Sequence, residues 1–422
     1  MEKFKICGGN RLEGTVRVQG AKNSVLPILA AAILVQGESL LENCPNLKDV
    51  EAALSILIHL GCKVERRGQD IHIDSSGITT FEIPDQLMRE MRSSVIFLGA
   101  ILGRVGRAVL SMPGGCELGP RPIDLHLKAL RALGANIEET GGNIVAVCEH
   151  LQGAEINLDS PSVGATENAM IAAVCASGKT VITNAACEPE IVDLQEFLVK
   201  AGARVHGAGG TTITIEGGMA ERDGTLVHRI MPDRIVAASY LSAVALSGGR
   251  VELLDIVPGH IETVTNALMA AGCEIALGET SLTICASGQL QAVEPIITRP
   301  YPGFPTDAQP CLVASFTKAR GTTVFIENIF QNRYRYVEEL RRMGADIKLE
   351  GRVAVVTGVR KLQGAKVEAT DLRGGAAMIV AALAAEGETE IREIGHIERG
   401  YEHIEVMLQH LGADIVRVSD LD

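Results

Sequence analysis

The sequence predicts an α/β protein of two domains, each built from three repeats with helices inside and sheets outside. A short phrase recurs six times along the 422 residues: a helix ends in a Gly-containing turn, and a strand follows. Its glycines lie 68 to 73 residues apart, at positions 61, 134, 202, 272, 344 and 412. A fixed period of this length indicates a repeated architecture, and six repeats divide evenly into two domains.

Each repeat contains two helical segments of different character. The first is rich in alanine and apolar on all sides, as in residues 28–35, 170–176 and 378–385, and such a helix is buried. The second, as in residues 123–133, carries apolar residues at i, i+3, i+4 and i+7, which is typical of an amphipathic helix. Both kinds are expected to end at glycine, which readily adopts the left-handed conformation found at helix C-termini.

The strands between the helices alternate apolar and polar residues, as in residues 14–19 and 211–216. This alternation indicates that one face of each sheet meets water, so the buried helices are expected inside the sheets. We expect a first domain at 21–229 and a second domain formed by 1–20 with 230–422, because closing the second ring of three repeats requires the N-terminal strands. The active site is expected in the cleft between the domains.

Composition excludes several classes of function. The net charge of −13 argues against nucleic-acid binding, which depends on Lys and Arg neutralising phosphates. The N-terminus lacks an apolar signal segment, and the longest apolar run, residues 25–35, is about half a membrane span. The ten cysteines stand singly, without the spacing of a metal site. We therefore expect a cytoplasmic protein with no membrane insertion, no nucleic-acid partner and no bound metal.

Unusual residues precede the Ala-rich helices. Ser162, Asp233 and Asp307 suit helix capping, since such side chains can accept hydrogen bonds from a first helical turn. Cations at the same place oppose the helix dipole and need another explanation. These cations are Lys22, Arg92 and Arg373. Helix N-termini that converge on one cleft, with cations beside them, favour an anionic ligand.

The loop before the amphipathic helix is the second place where unusual residues recur. In the second repeat it is the Gly-rich segment 113–122, which holds Cys116 and Arg121. A lone cysteine is usually a buried apolar residue, but a loop cysteine near an arginine is a candidate reactive thiol, because a cation stabilises the thiolate. Other repeats place Arg333 and Arg399 in the equivalent loop. Cations at equivalent places in an acidic chain predict a small polyanionic substrate.

At these residues the chain resembles the UDP-N-acetylglucosamine 1-carboxyvinyltransferases, enolpyruvyl transferases that share the fold of EPSP synthase. The matching segments are residues 20–23, 113–116, 121–126, 162–166, 188–193, 304–307, 332–333, 370–373 and 399–401. The resemblance implies a two-domain inside-out α/β barrel of six units. It also implies transfer of the enolpyruvyl group of phosphoenolpyruvate to the 3′-hydroxyl of UDP-N-acetylglucosamine through a tetrahedral ketal, the first committed step of peptidoglycan biosynthesis. No cofactor is implied.

The resemblance further implies roles for single residues. Cys116 is the expected general acid at C3 of phosphoenolpyruvate or the group that assists phosphate departure, and the expected target of the epoxide fosfomycin. Asp307 is the expected base on the sugar hydroxyl, and Lys22, Arg121 and Arg399 are expected to hold the phosphoryl group. The other expected substrate contacts are Asn23, Arg92, Pro122, Ile123, Asp124, Leu125, Ser162, Val163, Gly164, Ile329, Arg333 and Arg373, with Glu188, Asp233 and Asp371 in supporting roles.

Two alternatives stay open at this point. The fold-sharing 5-enolpyruvylshikimate-3-phosphate synthase uses the same donor, but it does not carry the cysteine loop that residues 113–116 match. A catalytically silent paralogue that binds the nucleotide sugar and regulates a partner is an alternative of a different class. One position departs from the family pattern, because Ser160 stands where members often carry a basic residue. Binding of the diphosphate is therefore expected to depend more on backbone amides.

Overall fold

The structure is a computed structural model that describes residues 2–91, 93–112, 123–220 and 224–419. Its strands are β1 (Glu2–Cys7), β2 (Leu12–Arg17), β3 (Glu38–Glu42), β4 (Lys63–Arg67), β5 (Asp70–Asp74), β6 (Glu82–Ile83), β7 (Arg107–Ser111), β8 (Asn136–Thr140), β9 (Asn143–Val147), β10 (Glu155–Asn157), β11 (Lys179–Thr183), β12 (Arg204–His206), β13 (Thr212–Glu216), β14 (Leu226–Arg229), β15 (Gly249–Leu254), β16 (Glu274–Leu277), β17 (Ser281–Ala286), β18 (Ile296–Ile297), β19 (Thr322–Ile326), β20 (Asp346–Glu350), β21 (Val353–Thr357), β22 (Leu362–Gln363), β23 (Lys366–Glu368), β24 (Ala385–Glu386), β25 (Glu388–Arg392) and β26 (Asp414–Ser419). Its α-helices are α1 (Lys22–Ala31), α2 (Lys48–Leu60), α3 (Asp85–Glu90), α4 (Phe97–Val105), α5 (Asp124–Ala132), α6 (Val163–Ala173), α7 (Pro189–Lys200), α8 (Arg234–Ser247), α9 (Glu262–Ala270), α10 (Gln309–Phe316), α11 (Val337–Arg342), α12 (Leu372–Ala382) and α13 (Ile404–His410).

The chain divides into two compact units. The division falls between Gln19 and Gly20 and again between Met231 and Pro232. We call the described residues within 20–231 the first unit, and those within 2–19 and 232–419 the second unit.

The first unit contains three four-stranded sheets with one common topology. Their strand orders are β14-β3-β5-β4, β6-β7-β9-β8 and β10-β11-β13-β12. In each sheet the first two strands run parallel, and the remaining neighbours run antiparallel. Three copies of one topology are what the sequence period predicts for this part of the chain.

The second unit repeats the same topology and takes in the N-terminal strands. Its four-stranded sheets are β2-β15-β17-β16, β18-β19-β21-β20 and β23-β25-β1-β26, and β22 pairs with β24. Strand β2 runs parallel to β15, so that Leu12 lies opposite Gly249. Strand β1 lies between β25 and β26, with Phe4 opposite Ile391 and Arg417. Two sheets of the second unit therefore depend on residues from the beginning of the chain.

The Ala-rich helices form the cores of the units, as their sequence predicts. In the first unit α1, α4 and α6 pack against one another, and in the second unit α8, α10 and α12 do so. Every residue of α6 from Ala165 to Ala173 is buried. The strands alternate buried and more exposed residues, as in β13. The predicted α/β class, with buried helices and half-exposed sheets, is confirmed, whereas each sheet is open among the described residues and the closed barrel stays a prediction.

The glycines of the recurring phrase have a conformational reason. All six glycines have positive φ, between 90° and 107°, at the ends of the amphipathic helices: Gly61, Gly134, Gly202, Gly272, Gly344 and Gly412. A side chain at such a φ is strained, which explains the repeated choice of glycine.

The expectation that the Ala-rich helices also end at glycine is wrong for most of them. Only α4 and α8 end at a glycine, Gly106 and Gly248. Helices α1, α6, α10 and α12 end at residues that keep right-handed helical φ and ψ. Residues other than glycine can occupy these positions because the backbone does not enter the left-handed region there. Among the described residues, none of the helices has both the length and the apolar character needed to cross a membrane.

Candidate active site

Most of the predicted site residues lie at helix N-termini. In the first unit Lys22 and Asn23 begin α1, Asp124 and Leu125 begin α5 directly after Ile123, Val163 and Gly164 begin α6, and Glu188 precedes α7. In the second unit Asp233 precedes α8, Asp371 precedes α12, Arg373 is the second residue of α12, and Arg399 ends the 3₁₀ helix Ile394–Arg399. Four predicted residues lie outside the described residues: Arg92, Cys116, Arg121 and Pro122.

Capping explains some of the acidic and hydroxyl residues. The Ser162 Oγ accepts a hydrogen bond from the Ala165 N–H at 3.3 Å, and the Asp233 Oδ1 accepts from the N–H groups of Ile235 and Val236 at 2.8 and 3.0 Å. These two predicted caps are confirmed. Asp371 is a cap as well, with Oδ1 3.0 Å from the Arg373 N–H. Its carboxylate therefore fixes the backbone from which the Arg373 side chain starts.

The capping explanation for Asp307 is wrong. The N-cap residue of α10 is Ala308, and no side chain caps this helix. The Asp307 carboxylate instead accepts from two guanidinium groups, since Arg333 Nη2 lies 2.6 Å from Oδ1 and Arg373 Nη2 lies 3.2 Å from Oδ2. The two arginines are 1% and 3% exposed, whereas the Asp307 side chain is 28% exposed. A partly accessible carboxylate thus lies against two buried cations.

Arg373 is held by a buried polar network. Its Nη1 donates to the Tyr401 Oη at 3.3 Å, and the Tyr401 hydroxyl also pairs with the Ser239 Oγ at 2.7 Å. Burial alone would lower the pKa of the Arg373 guanidinium, but the neighbouring Tyr401, Asp307 and Asp233 raise that pKa above the usual value of an arginine. Burial raises the pKa of the Tyr401 hydroxyl. The network keeps a fixed positive charge beside Asp307.

Arg333 is fixed mainly by the backbone. Its Nε and Nη2 donate to the Thr306 carbonyl at 3.1 and 2.8 Å, so one guanidinium holds both Thr306 and Asp307. The Thr306 hydroxyl in turn donates to Glu327 Oε2 at 3.0 Å. The other Glu327 oxygen accepts from the Ile329 N–H at 2.8 Å. Glu327 thus links the predicted contact Ile329 to the Asp307 segment.

Lys22 lies beside a buried acid that the sequence did not single out. Its Nζ is 2.7 Å from Asp49 Oδ2, and the two side chains are 12% and 2% exposed. Asp49 is in the first turn of α2, where an acidic residue is favoured by the helix dipole. It also offsets the cost of a cation at the N-terminus of α1. Asp49 was missed because its position by itself matches an ordinary first-turn acid.

The two units differ in which of the predicted site residues and neighbouring side chains come into contact. In the second unit Asp307, Arg333 and Arg373 meet, although 26 and 66 residues separate the arginines from the aspartate. In the first unit His126 of α5 contacts α6 at two places: its Nδ1 lies 2.9 Å from the Nδ2 of Asn168 in the middle of α6, and its ring borders Gly164 at the start of α6. Glu327, Tyr401, Asp49 and His126 are site neighbours for which the sequence alone predicted no role.

The second-unit cluster combines a basic oxygen with fixed positive charge. Such an arrangement can take a proton from a hydroxyl while neighbouring cations stabilise an anionic partner. No group of three or more His, Cys, Asp or Glu side chains in the described part of the chain is arranged to hold a metal ion.

Comparisons with known proteins give matches over nearly the whole chain. Residues 6–408 match the family described as EPSP synthase (3-phosphoshikimate 1-carboxyvinyltransferase). The UDP-N-acetylglucosamine 1-carboxyvinyltransferase 2 of Caldanaerobacter subterraneus subsp. tengcongensis is 53% identical over 418 residues, which cover 99% of this chain and 100% of that protein. The UDP-N-acetylglucosamine 1-carboxyvinyltransferase 1 of Symbiobacterium thermophilum is 51% identical over 423 residues, covering 99% of this chain and 95% of that protein.

Solved structures give the same fold. The enolpyruvyl transferase NikO from Streptomyces tendae has a TM-score of 0.89 at 25% identity, covering 99% of both chains. An EPSP synthase from Acinetobacter baumannii has a TM-score of 0.73 at 19% identity, covering 99% of this chain and all of that one. The chain belongs to the UDP-N-acetylglucosamine 1-carboxyvinyltransferase family of enolpyruvyl transferases.

Proposed function

We propose that this protein transfers the enolpyruvyl group of phosphoenolpyruvate to the 3′-hydroxyl of UDP-N-acetylglucosamine and releases phosphate, the first committed step of peptidoglycan biosynthesis. Full-length relatives that are about half identical carry the name of this activity. The structural observation that carries the proposal is the partly exposed Asp307 carboxylate between the buried Arg333 and Arg373. The reaction needs a base for the hydroxyl group of the sugar and cations for the negative charges of phosphoenolpyruvate, and this cluster can supply both.

The reaction proceeds by addition and elimination. In the addition the sugar 3′-hydroxyl loses its proton, its oxygen bonds to C2 of phosphoenolpyruvate, and C3 gains a proton. The product of this step is a tetrahedral ketal that still carries the phosphate. In the elimination C3 loses a proton, the C2–O bond to phosphate breaks, and inorganic phosphate leaves. The site therefore needs a base for the hydroxyl, an acid for C3 and cations for the phosphoryl group.

Asp307 is the proposed base. Its side chain is 28% exposed, so a hydroxyl group of a substrate can approach the carboxylate. The ionised form of a carboxylate is the one that accepts a proton, and the two arginines are the cations that face it. Arg333 and Arg373 also supply positive charge for the carboxylate of the donor. Lys22 and Arg399 are proposed to hold the phosphoryl group, with Asp49 positioning Lys22.

Three further roles rest on the family resemblance. Cys116 is the proposed general acid at C3 or the group that assists phosphate departure. Arg121 is proposed to hold the phosphoryl group. Arg92 is proposed to lie near the carboxylate of the donor or to sustain the positive potential of the site. All three lie outside the described residues.

The nucleotide sugar is assigned to helix N-termini of the first unit. The proposed contacts there are Asn23, Ile123, Asp124, Leu125, Ser162, Val163 and Gly164. Pro122, outside the described residues, and Ile329 are further proposed contacts, with Glu188, Asp233 and Asp371 in support. The first backbone N–H groups of a helix lack partners within the helix and favour phosphate. The caps formed by Asp233 and Asp371 support the residues that follow them.

The decisive experiment offers the protein phosphoenolpyruvate with each of two acceptors and measures phosphate release. Release with UDP-N-acetylglucosamine and none with shikimate 3-phosphate is the expected result. The reverse pattern would replace the proposal with the 5-enolpyruvylshikimate-3-phosphate synthase activity. Binding of UDP-N-acetylglucosamine with no turnover would support a silent regulatory paralogue.

A further inference from the structure

His126 lies between α5 and α6, two of the helices whose N-termini are proposed to bind the nucleotide sugar. It is the third residue of α5 and is 8% exposed. On one side its Nδ1 is 2.9 Å from the Asn168 Nδ2. On the other side its ring borders Gly164, since a Cβ on that glycine would lie 2.9 Å from the His126 Cε1 and 3.1 Å from Nε2. The imidazole thus occupies the space that a side chain at position 164 would need.

The orientation of the Asn168 amide is determined by its other partners. Its side-chain oxygen accepts from the Gly99 N–H at 2.7 Å, and its nitrogen donates to the Val95 carbonyl at 2.8 Å. A backbone N–H can only donate and a carbonyl can only accept, so the Asn168 oxygen and nitrogen cannot be exchanged. The second proton of the Asn168 nitrogen therefore points to the His126 Nδ1.

The hydrogen-bond pattern fixes the tautomer of His126. Because Nδ1 accepts from Asn168, the ring proton must be on Nε2 when the imidazole is neutral. Burial lowers the pKa of His126 to about 4, so the ring is neutral near pH 7. His126 therefore presents an N–H donor from Nε2. Within the described residues, no group accepts a hydrogen bond from this nitrogen.

The Nε2–H group lies beside the positive end of a helix. Helix α6 has 11 residues, and Gly164 is the second of them. The dipole and the first N–H groups of such a helix favour an anion more than a neutral carbonyl. The segment before α6 carries Ser160 and no cation between Asp159 and Val163. The Lys128 ammonium group of α5 pairs with Asp159 at 2.7 Å, so the groups that the segment itself offers to a phosphate are neutral donors.

We infer that the His126 Nε2–H donates a hydrogen bond to a phosphate oxygen of the nucleotide diphosphate at the start of α6. The inference rests on the proposed function, because it assumes that UDP-N-acetylglucosamine is the acceptor substrate. His126 is a binding residue in this account and takes no part in proton transfer. Asn168 positions it by enforcing the tautomer, and Gly164 leaves room for the ring.

The test compares two substitutions of His126: one keeps an acceptor near the Nδ1 position, and the other keeps a donor near the Nε2 position. In His126→Asn the side-chain oxygen can still accept from Asn168, but the side chain is too short to reach the Nε2 position. In His126→Gln the amide nitrogen reaches that position and remains a donor. Titration calorimetry on the full chain at pH 7.5 would give Kd for uridine, UDP and UDP-N-acetylglucosamine.

We expect His126→Asn to weaken UDP and UDP-N-acetylglucosamine by about tenfold, the size of one lost hydrogen bond. Uridine should bind as to the unchanged protein, and His126→Gln should recover most of the lost affinity. Equal weakening of uridine and UDP would mean a contact to the base and would overturn the inference. Unchanged UDP binding by His126→Asn would overturn it as well.

A second variant, Gly164→Ala, places a methyl group against the His126 ring on the side opposite to Asn168. Gly164→Ala should displace the imidazole and weaken UDP more than uridine, so it supplies the test if His126→Asn does not fold. Equal affinity for UDP in Gly164→Ala and the unchanged protein would count against the inference. For the neutral donor, the affinity ratio between the unchanged protein and His126→Asn should stay constant from pH 6 to pH 8. A ratio that grows toward pH 6 would indicate a charged imidazolium and contradict the assignment.

Failure of this inference can be told apart from failure of the proposed function. If the unchanged protein binds neither UDP nor UDP-N-acetylglucosamine, the proposed function fails together with the inference. If it binds and turns over the nucleotide sugar while His126→Asn binds UDP normally, only the role of His126 is overturned.

Discussion

Arg333 Nη2 lies 2.6 Å from Asp307 Oδ1, and the same guanidinium donates to the carbonyl of Thr306, the residue before Asp307. One buried side chain therefore fixes both the backbone and the carboxylate of the proposed base. Arg373 approaches the second carboxylate oxygen from α12. The position of Asp307 is thus set by two arginines that are distant in sequence, and several consequences can be measured.

Replacing Asp307 by asparagine should nearly abolish turnover. The amide cannot accept the hydroxyl proton, and it presents an N–H group to one of the two arginines. We expect kcat to fall by at least about 100-fold, the usual contribution of a general base. Phosphate-release assays with UDP-N-acetylglucosamine would measure the change. Activity within a few-fold of the unchanged protein would remove Asp307 from the role of base, provided that circular dichroism shows a folded variant.

Replacing Tyr401 by phenylalanine should reduce activity without a large loss of stability. The hydroxyl joins Ser239 to Arg373, and its removal leaves the Arg373 Nη1 without this acceptor. We expect the free energy of unfolding to fall by about 1 kcal/mol and kcat/KM by up to about tenfold. Denaturant titration and steady-state kinetics would measure both.

A matched control for Tyr401 is Tyr334→Phe. The Tyr334 hydroxyl is also buried and donates to the Phe325 carbonyl at 3.0 Å. Its removal should cost similar stability while leaving kcat/KM unchanged. Equal kinetic losses in the two variants would mean that Tyr401 acts only through general stability.

The pair between Lys22 and Asp49 should be important for stability. Asp49→Asn leaves a mostly buried ammonium group beside a neutral amide at the start of α1. Breaking a buried pair by removing one partner costs about 3–5 kcal/mol. Because Lys22 is partly exposed, we expect the free energy of unfolding to fall by about 2–3 kcal/mol. The control is Glu216→Gln, which breaks the exposed Arg204–Glu216 pair and should leave the melting temperature unchanged. Similar melting temperatures for both variants would contradict the prediction.

Glu167 should make stability depend on pH in the direction opposite to most carboxylates. Burial raises its pKa well above the usual value, with the charges of Glu190 and Glu188 adding to the shift. Above pH 4.5 the unfolded chain releases a proton that the folded protein keeps, so this group lowers stability as pH rises.

Glu167→Gln removes that ionisation and retains the shape of the side chain. At pH 8 the variant should be more stable than the unchanged protein by about 1 kcal/mol or more, and the difference should vanish near pH 4. Denaturant titrations at the two pH values measure it. The exposed Glu196 supplies the control, because Glu196→Gln should show no such gap. A gap that is constant with pH would show that packing, not protonation, causes the effect.

Fosfomycin should label one cysteine, and that cysteine should be Cys116. Burial raises the pKa of Cys44 to about 12 and that of Cys311 to about 11, so these thiols are protonated and unreactive near pH 7. The exposed Cys7 also has a raised pKa, from slight desolvation and the acids Asp414 and Glu388. Intact mass and peptide mapping should find a single adduct that Cys116→Ser loses. An adduct on any other cysteine would refute the assignment.

Much of the fold could be predicted because its signals are local. The turn after each amphipathic helix needs a positive φ, and glycine at 61, 134 or 412 reports that need directly. The alanine-rich composition of α6 or α12 likewise indicates burial without knowledge of its neighbours. Helix ends without such a turn were not predictable, since α1 and α10 end in apolar residues that any helix interior could contain.

The candidate site could be predicted in part. The sequence marked Asp307, Arg333 and Arg373 as unusual residues of equivalent loops, but it assigned Asp307 a capping position that Ala308 occupies. It predicted no site role for Asp49, Glu327 or Tyr401, because the residue type of each is common in the kind of segment where it lies. Their significance arises only from their partners.

By itself the sequence determined the six-fold repeat, the helix and strand alternation and the family, since these follow from periodicity and residue type along the chain. Only the tertiary structure decided which charges meet, which carboxylate keeps its proton and which imidazole nitrogen carries a hydrogen. Those properties depend on burial and on hydrogen-bond partners many residues away, as with Arg373 beside Asp307 and Asn168 beside His126. Charge and protonation are set by the surroundings of a group in three dimensions.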